Sequence, residues 1–324
     1  MIVGGIMRRV EIVVPCYNEQ ECVRALYEAV EAVFKKIDSA DFSVLYVNDG
    51  STDNTLSEIK KLVSEKGDDK VKYVSFSKNF GKESGIYAGL SNSTGDLVVL
   101  MDADLQHPPE LIIDMLREID EGGYDCCGAR RVSRRGEPPV KSFLSHMFYG
   151  FFSKMTGIKL VPGGSDYRMM TRQMVDAVIS LSERERFTKG ILAWVGFDTK
   201  WIEYNNVERF AGTSKWSVFN LSGYALNGFI GFATTPLRVV VWLGILVVIL
   251  ATIETIKIIY SGLILGQTDG SGFSTIIVLL MFFSGIIITI LGVIGEYMAR
   301  IYMELKNRPI YIAKESNIDS TRRM

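Results

Sequence analysis

The chain has 324 residues, 48% of them apolar and 23% charged, with 36 basic against 37 acidic side chains and 2 histidines. So high an apolar share, with positive mean hydropathy, is more than a water-soluble domain needs and implies a membrane part. Near-zero net charge without a long basic block excludes an extended nucleic-acid surface, so no nucleic acid is expected as a partner.

In chain order, the opening run MIVGGIMRRVEIVVPCYN is apolar but too short for a signal peptide with its cleavage site. VEIVVPCYN and FSVLYVNDG then read as short strands, each followed by a helical pattern, ECVRALYEAVEAVFKKI and TDNTLSEIKKLVSEK. VKYVSFS with KESGIYAGLSNS, and DLVVLMDAD with PPELIIDMLREIDEG, repeat the unit. Four consecutive βα units predict an α/β domain with a mostly parallel sheet covered on both faces. In such sheets ligands bind beyond the carboxyl ends of the strands. The unusual polar residues gather there: Asn18 and Glu19 after the first strand, Asp49 after the second, Lys78 after the third, Asp102 and Asp104 after the fourth.

Two stretches, VKSFLSHMFYGFFSKMTG and SKWSVFNLSGYALNGFIGFATTP, are aromatic-rich and weakly charged, and predict helices lying in a membrane interface at about 139–157 and 215–235. Two long apolar runs follow, predicting transmembrane helices at about 237–261 and 275–298. Between them SGLILGQTDGSGF holds no Lys or Arg, whereas Arg238 precedes the first run and Arg300, Lys306, Arg308, Lys314, Arg322 and Arg323 follow the second. The positive-inside rule therefore predicts both flanks, and both termini, on the cytoplasmic side.

Two acids one residue apart where a strand emerges suit a divalent cation. Asp102 and Asp104, flanking Ala103, can hold Mg2+ or Mn2+ with Gln106 as a further oxygen donor, and such a metal bridges the phosphates of a nucleotide diphosphate. VPCYNE, with Pro15, Tyr17, Asn18 and Glu19, and Asp49 of VNDGSTD read as the base and ribose side of the same pocket. SKNFGKESG sets Lys78 and Lys82 among glycines near the phosphates, while G-x-x-x-x-G-K-[ST] is absent, which removes the best motif for ATP hydrolysis. GARRVSRRGEPP packs Arg130, Arg131, Arg134 and Arg135 into six residues, and as a group these suit a lipid monophosphate. Cys16, Cys22, Cys126 and Cys127 form no C-x-x-C pair, which makes a zinc site improbable and reads as reduced structural thiols.

In combination and order, VPCYNE, VNDGSTD, KNFGKESG, MDADLQHPPE, GSDYRMM and FAGTSKW resemble the inverting family-two glycosyltransferases, and within them the branch that moves a sugar from a nucleotide onto a polyprenyl phosphate. Bactoprenol glucosyltransferases and dolichol-phosphate mannose synthases are of this type, and the two apolar runs are similar to the bactoprenol layout. The resemblance implies a nucleotide-diphospho-sugar transferase (GT-A, Rossmann-like) domain over residues 1–235 including the interfacial helices, two transmembrane helices within 236–299 and a cytoplasmic tail at 300–324, in the plasma (bacterial inner) membrane. It implies nucleotide binding by Pro15, Tyr17, Asn18, Glu19, Asp49, Lys78, Lys82, Asp102 and Ala103, and metal binding by Asp102, Asp104 and Gln106. Arg209, Ser214 and Lys215 of ERFAGTSKW join the four arginines at the acceptor phosphate, and Asp166 takes the position of a catalytic base, with Asp104 the second catalytic acid. A phosphate monoester with its second pKa near 6 is already largely ionised at pH 7, so Asp166 is read as positioning the acceptor or receiving a residual proton.

The partners so implied are a UDP-sugar, with UDP-glucose the leading expectation, a polyprenyl (undecaprenyl) phosphate and membrane lipid, while the sugar and a homo-oligomer are left open. A processive polysaccharide synthase lacks support because Q-x-x-R-W is absent, and an inactive transferase-like scaffold because both aspartates are kept. No G-x-G-x-x-G follows the first strand, which sets aside a dinucleotide oxidoreductase.

Overall fold

β1 (Arg8–Cys16) carries RRVEIVVPC, apolar on both faces as a strand between two helical layers must be. It pairs in parallel with β2 (Ala40–Asn48) on one side and β4 (Leu97–Leu100) on the other, and β2 pairs in parallel with β3 (Val71–Phe76). The intervening helices are α1 (Cys22–Phe34), α2 (Thr55–Lys66) and α3 (Lys82–Asn92), with α4 (Leu111–Asp120) after β4. These are the four βα units that the periodicity predicts. The structure, a computed structural model, describes residues 7–132, 150, 152–204, 232, 235–264 and 272–318.

The rest of the sheet departs from the parallel pattern. β6 (Gly164–Thr171) lies antiparallel between β4 and β5 (Cys126–Arg131), and β7 (Thr199–Tyr204) runs parallel to β5 at the edge. At the far edge β8 (Ala313–Ser316) pairs antiparallel with β3, giving the order β7-β5-β6-β4-β1-β2-β3-β8. The mixed sheet keeps its topological switch between β1 and β4, whose helices leave in different directions along the sheet, the place where ligands bind in such folds.

Alternation along β1 distributes the two layers. Val10, Ile12 and Val14 join Val23, Leu26 and Val30 of α1 and Ile112 and Met115 of α4 in one buried cluster. Val13 and Pro15 face α3, and the helix can approach because it presents glycines: a Cβ on Gly89 would stand 2.1 Å from Val13 Cγ1, and one on Gly85 3.3 Å from Pro15 Cβ. α5 (Arg172–Ser180), capped by Thr171 Oγ1 accepting from Met174 N at 3.4 Å, packs beside α3. α6 (Thr188–Trp194) follows. Glu11, 1% exposed, is a buried charge with its partners in place: Lys72 Nζ donates to it at 2.7 Å, Ser43 Oγ at 3.3 Å and Gly95 N at 3.3 Å.

The chain divides into two compact units, Met1–Gly228 with Pro309–Met324, and Phe229–Arg308. The second holds two long helices, α7 (Thr235–Ile264) and α8 (Gly272–Leu305), of 30 and 34 residues. Among the described residues one stretch, Leu279–Leu305, is long and apolar enough to cross a membrane by length and composition. The first predicted span, about 237–261, falls inside α7. The segment before β8 returns to the first unit through a stack of Tyr311 on Phe76, 4.9 Å between centroids, a bond from Asn92 Nδ2 to Tyr311 Oη at 2.9 Å and one from Ser77 N to the Ile312 carbonyl at 3.0 Å. Asn317 closes it, accepting from Tyr73 N at 2.7 Å. All four cysteines are buried free thiols, and burial, with Glu19 beside Cys22, pushes Cys22 and Cys127 up to about 12.

Gly89→Ala would force a methyl into Val13 and should cost about 1–3 kcal/mol, seen as a lower thermal unfolding temperature of the detergent-solubilised chain. Adding Val13→Ala should return part of that loss, so the pair is expected to be non-additive by about 0.5–3 kcal/mol.

Candidate active site

Three loops interlock at the carboxyl ends of β1, β2 and β3. Asn18 takes a left-handed conformation, φ 57°, which its short polar side chain tolerates. Its Oδ1 accepts from Thr52 N at 2.8 Å and its N–H donates to Ser51 Oγ at 2.9 Å, while Glu19 N donates to Thr55 Oγ1 at 2.9 Å. The loop after β1 is thereby stitched to the loop after β2. Gly50, φ 62°, lies so close to the third loop that a Cβ would come within 2.3 Å of the Lys78 carbonyl carbon. Beside it Asp49, 4% exposed, accepts from Phe80 N at 2.6 Å and Gly81 N at 2.9 Å, and burial pushes its carboxyl up while those two bonds pull it down. Asp49 thus holds the loop that delivers Lys82 to the first residue of α3. Lys78 is exposed, its Nζ 5.1 Å from the Phe80 ring centroid, and Tyr17 is partly buried in the first of these loops.

Lys82 reaches the end of β4. Its Nζ stands 2.7 Å from Asp102 Oδ1 and 2.9 Å from Asp166 Oδ2, with the three side chains 36%, 29% and 18% exposed. Strand register explains the meeting. Leu100 opposes Arg168 in the β4–β6 ladder, and two residues further along Asp102 comes level with Asp166 on the same face. Burial opposes ionisation of Asp166, but Lys82, Lys189 and Arg168 outweigh it and hold the carboxyl well below the usual range. Burial likewise opposes charge on Lys82, and Asp102 with Asp166 outweighs it and raises the ammonium above its ordinary value.

Beyond Asp102, Ala103 is buried and Asp104 is 9% exposed, its Oδ1 accepting from Gln106 N at 3.2 Å across Leu105, φ 57°. His107 lies flat on Tyr167, centroids 5.1 Å apart, and edge-on to Tyr204, and burial lowers its pKa, so it is a neutral packing element. Tyr167 Oη donates to the Pro108 carbonyl at 3.1 Å. One residue of β6 therefore pins the turn from below while its neighbour, Asp166, faces Lys82 on the other side.

The donor chemistry fits a hard divalent cation. Asp102 and Asp104 offer carboxylate oxygens at a strand end, and among the described residues no cluster of three or more His, Cys, Asp or Glu gathers. A cation there would take its other ligands from water and phosphate, the usual manner of Mg2+. Of the arginines expected from the sequence at the acceptor phosphate, Arg130 and Arg131 end β5, Arg130 standing 44% exposed with Nη1 3.9 Å from Glu203. Arg134, Arg135, Arg209, Ser214 and Lys215, and most of both predicted interfacial helices, lie outside the described residues, with 152–156 helical.

Sequence reasoning missed three side chains. Glu83 Oε2 accepts from Thr188 N at 2.8 Å, tying the start of α3 to the start of α6. Lys189 follows on α6, and Arg168 lies on β6 with guanidinium carbon 5.5 Å from the Trp201 ring centroid. Arg168 was detectable as the residue two places after Asp166 on the same strand face. Glu83 and Lys189 meet only in the folded chain, and nothing local marks them.

Residues 11–179 match the family model described as Glycosyl transferase family 2. A Bacillus subtilis (strain 168) protein, CsbB, is 42% identical, covering 95% of this chain and 92% of that one. The bactoprenol glucosyl transferase of Shigella phage SfII is 36% identical, covering 95% of this chain and 98% of its own. Among solved structures, glucosyl-3-phosphoglycerate synthase from Mycobacterium tuberculosis in complex with Mn2+, UDP-glucose and phosphoglyceric acid aligns over 68% of this chain and 76% of that one, with TM-score 0.44 and 16% identity.

Asp49→Ala should leave the Phe80 and Gly81 amides without their acceptor, at about 1–3 kcal/mol for each. Asp49→Asn keeps one acceptor oxygen and should lose about half as much. Chemical denaturation checks the cost, and faster amide hydrogen exchange at residues 80–81 checks its location.

Proposed function

Because the chain belongs to glycosyl transferase family 2, we propose that it transfers a sugar, glucose from UDP-glucose in the first instance, onto a polyprenyl phosphate at a membrane surface. It is a glycosyltransferase. The observation that carries it is the convergence of Asp102 and Asp166 on Lys82 at the carboxyl end of β4, in a chain similar along nearly its whole length to bactoprenol glucosyl transferases.

An oxygen of the lipid phosphate attacks the anomeric carbon from the face opposite the leaving group. The new carbon–oxygen bond forms as the bond to the β-phosphate breaks, configuration inverts and UDP departs. Asp102 and Asp104 would hold Mg2+ or Mn2+, which when bound offsets the charge growing on the diphosphate. Lys82 stands on the same side, holds Asp166 ionised and keeps both carboxylates in place. Asp166 orients the acceptor and takes any proton still on its phosphate; a strong base is unnecessary, since that phosphate is largely ionised at pH 7. Phe80 and Gly81 fix the loop carrying Lys82 through Asp49.

Connectivity supports two membrane crossings. The chain leaves the first unit at Gly228 and rejoins it at Pro309, where β8 pairs with β3. A segment that begins and ends at one folded body crosses a bilayer an even number of times, and α7 and α8 are both long enough, at roughly 45 and 51 Å by helical rise.

The deciding assay is transfer by the full chain in detergent, with undecaprenyl phosphate, Mg2+ or Mn2+ and a panel of UDP- and GDP-sugars. A metal-dependent lipid product from one donor is expected, and Asp104→Ala should lower turnover on the order of 100-fold or more. Silence with every donor, in protein that still binds nucleotide, would sink the lipid-acceptor reading. Turnover should also fall as pH drops through about 6, where the acceptor phosphate gains its second proton. Asp166→Asn should lower turnover without moving that limb; a displaced limb would make Asp166 the titrating base.

A further inference from the structure

Next to the carboxylate cluster a cavity of about 190 Å³ opens between β6, β7, α6 and residues 159–161. Among the described residues Lys159, Arg168 and Lys189 line it with no carboxylate, and Leu192, Phe197 and Trp201 form an apolar wall. Arg168 is 5% exposed, and its Nε is buried without a hydrogen-bond partner. Its Nη2 donates to the Ser165 carbonyl at 2.9 Å. Lys189 Nζ donates to the Gly164 carbonyl at 3.2 Å, which leaves two of its three N–H groups for another acceptor. Among the described residues neither cation forms a salt bridge, and the acid two places from Arg168, Asp166, is bonded to Lys82.

Asp166 lies within reach of the Arg168 charge but is bonded to Lys82, so among the described residues the Nε of Arg168 and two N–H groups of Lys189 still lack an acceptor, which an anion in the cavity would supply. The anion must fit a planar fork and an ammonium, which is phosphate chemistry, and it must tolerate an apolar wall. The cavity also lies beside Asp166, where an attacking phosphate has to arrive. We propose that this cavity receives the phosphate of a lipid monophosphate acceptor, with Lys189 and Arg168 as its positioning contacts and the first carbons of the chain against Leu192, Phe197 and Trp201. The assignment rests on the acceptor reading given above, and adds to the β5 arginines a second set of contacts on β6 and α6.

The test uses the full chain in detergent with two readouts: equilibrium binding of farnesyl phosphate, against farnesol and inorganic phosphate, and transfer kinetics with undecaprenyl phosphate. Lys189 is only half-buried, so its substitution leaves the core intact. Lys189→Ala should raise the farnesyl phosphate Kd and the acceptor KM about 10-fold, with donor KM changed less than about two-fold, and Lys189→Arg should restore most of both. Arg168→Lys, which keeps the charge but loses the fork, should weaken binding in the same direction. An unchanged Kd in Lys189→Ala, or an equal rise in donor KM, would overturn the assignment. Inorganic phosphate binding as tightly as farnesyl phosphate would make this a simple anion site and overturn the lipid part. Lys189-dependent farnesyl phosphate binding without sugar transfer in the unaltered chain would retain the pocket and remove the acceptor reaction, whereas transfer indifferent to Lys189 would do the reverse.

Discussion

Two carboxylates drawn onto neighbouring strand ends repel each other unless a cation stands between them, and here that cation is Lys82. Much of the first unit serves to bring these three side chains to one point. The antiparallel entry of β6 beside β4 sets Asp166 level with Asp102. Gly85 and Gly89 let α3 lie against Pro15 and Val13, so that its first residue overhangs the end of β4. Asp49 and Gly50 hold the loop ahead of α3 against the loop after β2, which Asn18 ties to the loop after β1, and the charges are therefore oriented before any substrate arrives.

From that cluster the charge changes sign over a short distance. Toward β4 stand Asp102, Asp104 and Asp166 with one lysine among them; toward β7 stand Arg168, Lys189 and Lys159, with no acid among the described residues that line their cavity. Glu83 binds the two sides mechanically, since the residue after Lys82 fastens α6, which carries Lys189. A shift of α3 would move both halves together.

The first half of the fold was legible because its signals are local: a period of two in VEIVV, a period of 3.6 in ECVRALYEAVEAVF, and turn residues between. The aspartates after β4 were legible for the same reason, since a strand end is a place that sequence can mark. β6 was harder. GSDYRMM alternates no more clearly than many loops, and its antiparallel placement depends on pairing with strands far away in sequence. β8 was harder still, because AKES is polar and short and becomes a strand only through Tyr311, Ile312 and Asn317. Asp49 and Asn18 carried motif signals for nucleotide contact, yet their bonds to Phe80, Gly81 and Thr52 are fixed by tertiary neighbours that no spacing announces.

The return of the chain to β3 has a consequence for how the protein is made. Until residues 309–318 emerge from the ribosome, β3 is an open edge with unpaired amides and carbonyls, a template for pairing with other chains. Its cover comes after α7 and α8 in the order of synthesis, so the sheet is completed only once both helices have been translated. A chain cut before residue 309 would therefore keep its acids and its lysine but leave β3 as an unpaired edge, the kind of edge that invites pairing with other chains.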